Sequence, residues 1–169
     1  VPGLAGPLLS VVMASYNRPA LLARTLESIR RQKPPFAYEV IVVDDGSEGY
    51  DTGDVCQHYG VISFRTERMT YMNPGPARNI GYKAARGKIV VAQSDDTYHE
   101  TEDSLERLAR CPAGTMQIAT VWELDEAGAR KTQYTGAANL RPFFFLGSLI
   151  RSDLYAVGGD DEDFQQPGF

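Results

Sequence analysis

The chain has 169 residues, 43% of them hydrophobic and 23% charged, which is enough apolar surface for one continuous core and too much for a disordered segment. A formal net charge of -5 and a pI near 5.0 exclude the basic footprint of a nonspecific nucleic-acid binder, so any nucleotide must be gripped locally. Cys56 and Cys111 stand far apart with no CxxC partner, which argues against a zinc site or a disulfide framework and for a reducing compartment, and no apolar run reaches the roughly 20 residues of a membrane span.

Residues 1–7 form a polar-poor tail without the features of a signal peptide. Leu8 to Ala14 (LLSVVMA) then reads as a strand buried on both faces. Asn17 is placed to cap a helix, Pro19 suits its first turn, and Leu22, Leu26 and Ile29 recur at helical spacing until Pro34-Pro35 end it. Glu39 to Val43 (EVIVV) is a second buried strand, broken by the turn-forming Asp44-Asp45-Gly46-Ser47. A weakly written helix around Asp54 to Tyr59 leads to a third strand, Val61 to Phe64. Asn73-Pro74-Gly75-Pro76 makes a loop, Ala77 to Ala85 a helix closed by Gly87, and Lys88 to Ala92 a fourth strand.

The second half is less regular. Glu102 to Arg110 reads as a helix, and Gln117 to Glu123 and Lys131 to Tyr134 as strands around a Glu126-Ala127-Gly128 turn. Phe143 to Ile150 (FFFLGSLI) is another buried segment, and Arg151 to Val157 a helical turn before Gly158-Gly159. The absent initiator Met and the stop just after an acidic cluster suggest a piece of a longer protein.

Short apolar strands alternating with helices predict an α/β fold with a doubly wound, mostly parallel sheet, helices on both faces and right-handed crossovers. In such sheets ligands lie past the carboxyl ends of the strands. Those ends carry Ser15-Tyr16-Asn17, Asp44-Asp45-Gly46-Ser47 and Ser94-Asp95-Asp96, so the topology gathers three polar clusters at one edge. Asp95 and Asp96 are hard oxygen ligands suited to Mg²⁺ or Mn²⁺, with a solvated turn as the bland alternative. Asp45 is either a strand-ending turn residue or an acceptor for the N–H of a nucleobase, and Tyr16 either a half-buried ring or a stacking face. Arg78, in the first turn of a helix, is placed to clamp phosphate, fix a site aspartate or form a surface ion pair. Asp160 to Asp163 is a frayed acidic end or the source of a general base. His58 reads as a surface residue, and His99 lies close enough in sequence to Asp96 to support it.

SVVMASYNRPALLARTLESIRRQ, EVIVVDDGS and NPGPARNIGYKAARGKIVVAQSDD resemble, in order and spacing, successive blocks of the family 2 glycosyltransferases, and SDLYAVGGDDEDF resembles the later block that supplies their catalytic base. The match covers roughly residues 8–98, which the resemblance makes the nucleotide-sugar-binding half of a GT-A fold, with 99–169 as the acceptor-side half. By that resemblance Ala14, Ser15, Tyr16 and Asp45 hold the base of a nucleoside diphosphate, with UDP favoured, and Arg78 joins the nucleotide-sugar site. Asp95 and Asp96 hold ribose and a Mn²⁺ or Mg²⁺ ion, and Asp161 is the base. The implied reaction is inverting transfer of a sugar to an acceptor hydroxyl, by a cytoplasmic protein. Two features depart from the pattern: Gln93 stands where many members carry the first Asp of Asp-x-Asp, and the Glu-Asp step beyond the Gly-Gly block falls past Phe169. A binding module without turnover and, more remotely, a sugar-phosphate nucleotidyltransferase are the competing readings. The latter expects a glycine-rich loop where Ser15-Tyr16-Asn17-Arg18 stands.

Overall fold

The computed structural model describes residues 6–68, 73–135 and 144–164. Four strands, β1 (Leu9–Ser15), β2 (Tyr38–Asp44), β3 (Ile62–Arg65) and β4 (Ile89–Gln93), run parallel and alternate with α1 (Pro19–Arg30), α2 (Asp51–Tyr59) and α3 (Gly75–Ala84). The second half adds α4 (Ser104–Leu108), β5 (Met116–Ile118), β6 (Trp122–Leu124), β7 (Arg130–Gln133), β8 (Leu146–Ile150) and α5 (Arg151–Ala156). The main sheet has the order β3-β2-β1-β4-β8-β5, with β8 antiparallel to both neighbours, and β6 and β7 form a separate hairpin. The expected α/β, mostly parallel sheet is therefore present, with one reversed strand.

Alternation along the strands sends residues into two cores. Leu9, Val11, Met13, Val40, Val42 and Val91 pack with Leu22, Leu26 and Ile29 of α1, Cys56 of α2 and Leu105 and Leu108 of α4. Val12, Ile41, Val90 and Ala92 face the other way, against Tyr82 of α3 and Leu154 of α5. Helices thus cover both faces, as strands hydrophobic on both sides require. Both cysteines are free and buried.

Four local expectations need correction. Asn17 does not cap α1: the N-cap is Arg18, without a side-chain cap bond, and Asn17 takes a left-handed conformation (φ 51°) with its amide turned to the second strand-end loop. Asn is among the few residues other than glycine that adopt this conformation at low cost, and here the bond that uses its side chain comes from the neighbouring loop. The run from Gln117 to Glu123 is two strands rather than one, β5 joining the main sheet and β6 the hairpin. The helix expected over Glu102 to Arg110 is one short turn and a half, and α2 begins three residues before its expected start. Phe143, the first residue of the FFFLGSLI segment, lies outside the described residues.

β8 starts beside the end of β4 (Gln93 opposite Leu146) and finishes at its beginning (Ile89 opposite Ile150). It carries the chain away from the edge where the parallel strands end. α5 and Gly158-Gly159, with φ of 87° and 81°, bring it back to α3, whose N-terminus lies at that edge.

Candidate active site

At the carboxyl ends of β1 and β2 two loops are stitched together. Ser15 and Asp44 are register partners, and the Asp45 N–H donates to the Ser15 carbonyl at 2.9 Å. The Asn17 N–H donates to Ser47 Oγ at 2.9 Å and Asn17 Oδ1 accepts from the Glu48 N–H at 2.7 Å. Asp44 is consumed structurally, since its Oδ1 accepts the Ser47 N–H at 2.9 Å and Arg65 lies 3.5 Å from Oδ2. Gly46 has φ 73°, and a Cβ there would come within 2.5 Å of the Arg68 backbone nitrogen, so the turn requires glycine.

This packing leaves Asp45 as the carboxylate of the turn that serves no backbone bond among the described residues. It is 4% exposed and paired with the guanidinium of Arg68, which also lies 3.8 Å over the ring of Tyr16. Burial pushes the Asp45 carboxyl up, and Arg68 opposes the shift. Ala14 is half-buried in β1, opposite Val43.

The second cluster hangs from β4, the other neighbour of β1. Ser15 Oγ donates to Asp95 Oδ2 at 2.8 Å, and Thr25 Oγ1 of α1 donates to the Asp95 carbonyl at 2.8 Å. Asp95 is 6% exposed, and burial raises its carboxyl, offset by Ser15 and reinforced by the Asp96 charge. Asp96 is more open, and Arg18 bridges the pair, 3.1 Å from Asp96 Oδ2 and 3.7 Å from Asp95 Oδ1. Gln93 points inward instead: its Nε2 donates to the Thr97 carbonyl at 2.6 Å, and its Oε1 meets His99 Nε2 at 3.2 Å. The His99 N–H in turn donates to Ser28 Oγ at 3.0 Å. Gln93 therefore braces the loop that presents the two carboxylates. His99 acts through that brace, held by burial at a pKa of about 4 and so neutral near pH 7.

A third group sits at the N-terminal end of α3. Arg78 lies 3.6 Å from Asp160 Oδ2, so the carboxylate it takes belongs to the acidic stretch rather than to the Asp95–Asp96 pair. Glu162 Oε1 accepts from Asn79 at 2.8 Å. Asp161 is exposed, with its Oδ1 accepting the Asp163 N–H at 2.9 Å. A cavity of about 730 Å³ opens beside Asp96 on the sheet face covered by α1 and α4, walled by His99, Arg107, Gln117, Trp122 and Tyr134.

The structure thus joins Ser15, Asp95 and Asp96 directly, links Tyr16 with Asp45, and places Arg78 and Asp161 on the α3 side. Sequence reasoning assigned no role to Arg18, Thr25 or Arg68. Arg18 directly follows a strand-end cluster and was open to notice there. Arg68 comes from a loop with no motif, and only the fold brings it to Asp45.

Residues 10–146 match the family model "Glycosyl transferase family 2". A succinoglycan biosynthesis protein, ExoO, of Rhizobium meliloti is 32% identical over 173 aligned residues, covering 96% of this chain and 47% of that protein. A human dolichyl-phosphate beta-glucosyltransferase is 40% identical over 100 residues, 52% of this chain and 31% of that protein. The chain spans less than half the length of either relative. Among solved structures, a Pyrobaculum calidifontis mannosyltransferase in complex with GDP-Man and Mn²⁺ aligns with a TM-score of 0.69 at 18% identity, over 95% of this chain and 49% of that one. The S. aureus TarS 1-349 complex with UDP aligns at 0.68 and 18%, over 93% and 51%. These likenesses identify the doubly wound sheet as a GT-A fold. The chain belongs to glycosyl transferase family 2.

Proposed function

We propose that this chain forms the donor site of an inverting glycosyltransferase that moves a sugar from a nucleoside diphosphate sugar, with UDP favoured, to an acceptor hydroxyl. The observation that carries the reading is spatial: Asp45 and the Asp95–Asp96 pair flank β1 from its two neighbouring strands. The strands that carry them, β2 and β4, lie two strand spacings apart, roughly 10 Å, the scale that separates a nucleobase from its diphosphate. Asp45 accepts the base N–H, the Tyr16 ring stacks on the base, and the main chain of Ala14 and Ser15 lines its edge. Asp95 serves the ribose and shares a cation with Asp96. Arg78 acts at the α3 side of the nucleotide-sugar site.

The donor set fits Mn²⁺ or Mg²⁺ held jointly with the nucleotide. Among the described residues no group of three His, Cys, Asp or Glu side chains could cage a metal, while two adjacent carboxylates leave positions for phosphate oxygens. Such an ion, when bound, offsets the charge of the departing diphosphate. The solved relatives bound to UDP and to GDP-Man with Mn²⁺ support the ligand class.

Asp161 takes the acceptor proton in a direct displacement at the anomeric carbon. Its neighbours Asp160 and Glu162 are engaged by Arg78 and Asn79, whereas the Asp161 carboxylate holds only the Asp163 N–H among the described residues. The division of labour places residues 8–98 on the donor and 99–169 on the acceptor. Among the described residues no helix is long and apolar enough to cross a membrane. Asp161→Asn should bind UDP and Mn²⁺ normally yet lose turnover by about 10² or more. Normal turnover in that variant would remove Asp161 from the chemistry, and absence of donor hydrolysis in the wild type would favour a binding module.

A further inference from the structure

The acidic stretch after Gly158-Gly159 is fastened at the N-terminal part of α3 by two asparagines 81 to 89 residues earlier in the chain. Asn79 uses its whole amide: Nδ2 donates to the Asp160 carbonyl and to Glu162 Oε1, both at 2.8 Å, and Oδ1 accepts the Asp160 N–H at 2.9 Å. Asn73 Nδ2 donates to the Asp161 carbonyl at 3.1 Å and the Glu162 carbonyl at 3.3 Å, while its Oδ1 accepts the Gly75 N–H at 2.8 Å. Three consecutive carbonyls, on Asp161 and on both residues flanking it, are therefore each taken by an asparagine donor. Both asparagines are 7% exposed, so the amide side of these bonds is largely withdrawn from water. The backbones meet closely: a Cβ on Gly159 would lie 2.4 Å from Asn79 Oδ1, and one on Gly75 would lie 3.0 Å from the Asp161 carbonyl oxygen.

We propose that Asn73 and Asn79 are positioning residues of the transfer reaction, fixing the main chain on both sides of Asp161 so that its carboxylate is presented in one orientation. The inference rests on the reading of Asp161 as the base. The glycine pair before the stretch gives it no stiffness of its own, both glycines having positive φ. Arg78 and Tyr82 still hold Asp160 when Asn79 is truncated, at 3.6 and 3.5 Å. The stretch then stays docked through Asp160 and through the Asn73 bonds, but it loses the three Asn79 bonds that fix Asp160 and Glu162 on either side of the Asp161 carboxylate. The expected defect is misorientation of a proton acceptor, with the nucleotide end left intact.

A double-mutant cycle reads this directly. Turnover is followed as nucleotide release from whichever of UDP-glucose, UDP-N-acetylglucosamine and GDP-mannose the intact protein hydrolyses fastest with Mn²⁺, alongside calorimetric UDP binding. Asn79→Ala should lower kcat by about 10- to 100-fold with donor KM and UDP affinity unchanged, and should cost nothing further when Asp161 is already Asn. If Asn79→Ala gives no cooperative melt, Asn73→Ser carries the same cycle. Equal losses in the wild-type and Asp161→Asn backgrounds, or a raised KM at unchanged kcat, would overturn the positioning role while leaving the base assignment standing. Full turnover by Asp161→Asn itself, or no turnover of any donor, overturns the base reading and this proposal with it.

Discussion

Acid should destabilise this fold through a single buried imidazole. His99 is 4% exposed, and burial lowers its pKa from 6.5 to about 4; its ring meets Gln93 through Nε2, while Ser28 takes only its main-chain N–H. Because the unfolded chain takes up the proton first, the stability that neutral His99 contributes is complete above about pH 6.5. It drains as the pH falls through 6.5 toward 4. By linkage the loss reaches about 2 kcal/mol at pH 5 and levels off near 3 kcal/mol below pH 4. Urea unfolding followed by far-UV circular dichroism at pH 8, 6.5 and 5 measures this, with His99→Gln as the reference that cannot titrate. Carboxylates add their own slopes to both proteins, so the difference between the two pH profiles isolates the imidazole. Parallel profiles, offset by a constant, would refute the reasoning, because they would mean that the imidazole is solvated when folded.

Three further outcomes are expected. Asp96→Ala should abolish the gain in UDP affinity that Mn²⁺ confers, since the pair is then one carboxylate short, and calorimetry in Mn²⁺ and in chelator checks it. Asp45→Asn should weaken UDP binding by about 1–3 kcal/mol, the scale of a mispaired buried polar group, and an affinity equal to wild type would assign Asp45 to the turn alone. Gly81→Ala should lower the melting temperature without touching the site, because its Cβ would sit 2.4 Å from Val12 Cγ1 in the middle of the α3–β1 packing, at a cost of about 1–3 kcal/mol.

The first half of the fold was legible because its strands are buried on both faces, so LLSVVMA, EVIVV and KIVVA stand out as apolar runs between polar ends. The second half was less so for a physical reason. An apolar run such as FFFLGSLI states that a segment is buried but carries no direction, and β8 pairs antiparallel with the strand it lies beside. Likewise Gln117 to Glu123 shows one pattern, while the chain leaves the main sheet between Ile118 and Trp122 to start a hairpin. Nothing in the local sequence marks that change of partner.

Within the site, what could be read was what is contiguous. Asp44-Asp45-Gly46-Ser47 and Asp95-Asp96 announce themselves as clusters at strand ends, and the parallel order β2-β1-β4 brings them level without further information. What could not be read was how each carboxylate is used. Asp44 and Asp45 are equivalent in sequence, yet one closes its own turn on the Ser47 N–H and the other faces Arg68. Gln93 looked like a missing ligand and is instead the brace of the loop, because an amide can bond the Thr97 carbonyl and the His99 ring at once where a carboxylate would face that carbonyl with no proton to donate. The distinction between a site residue and its support is made by the partner across the fold, and those partners, Arg68, His99 and Asn79, are single residues at unrelated positions. The same logic separates the acidic residues Asp160, Asp161 and Glu162. They are one run in the sequence and three different environments in the fold, with Asp160 on Arg78, Glu162 on Asn79 and Asp161 facing outward.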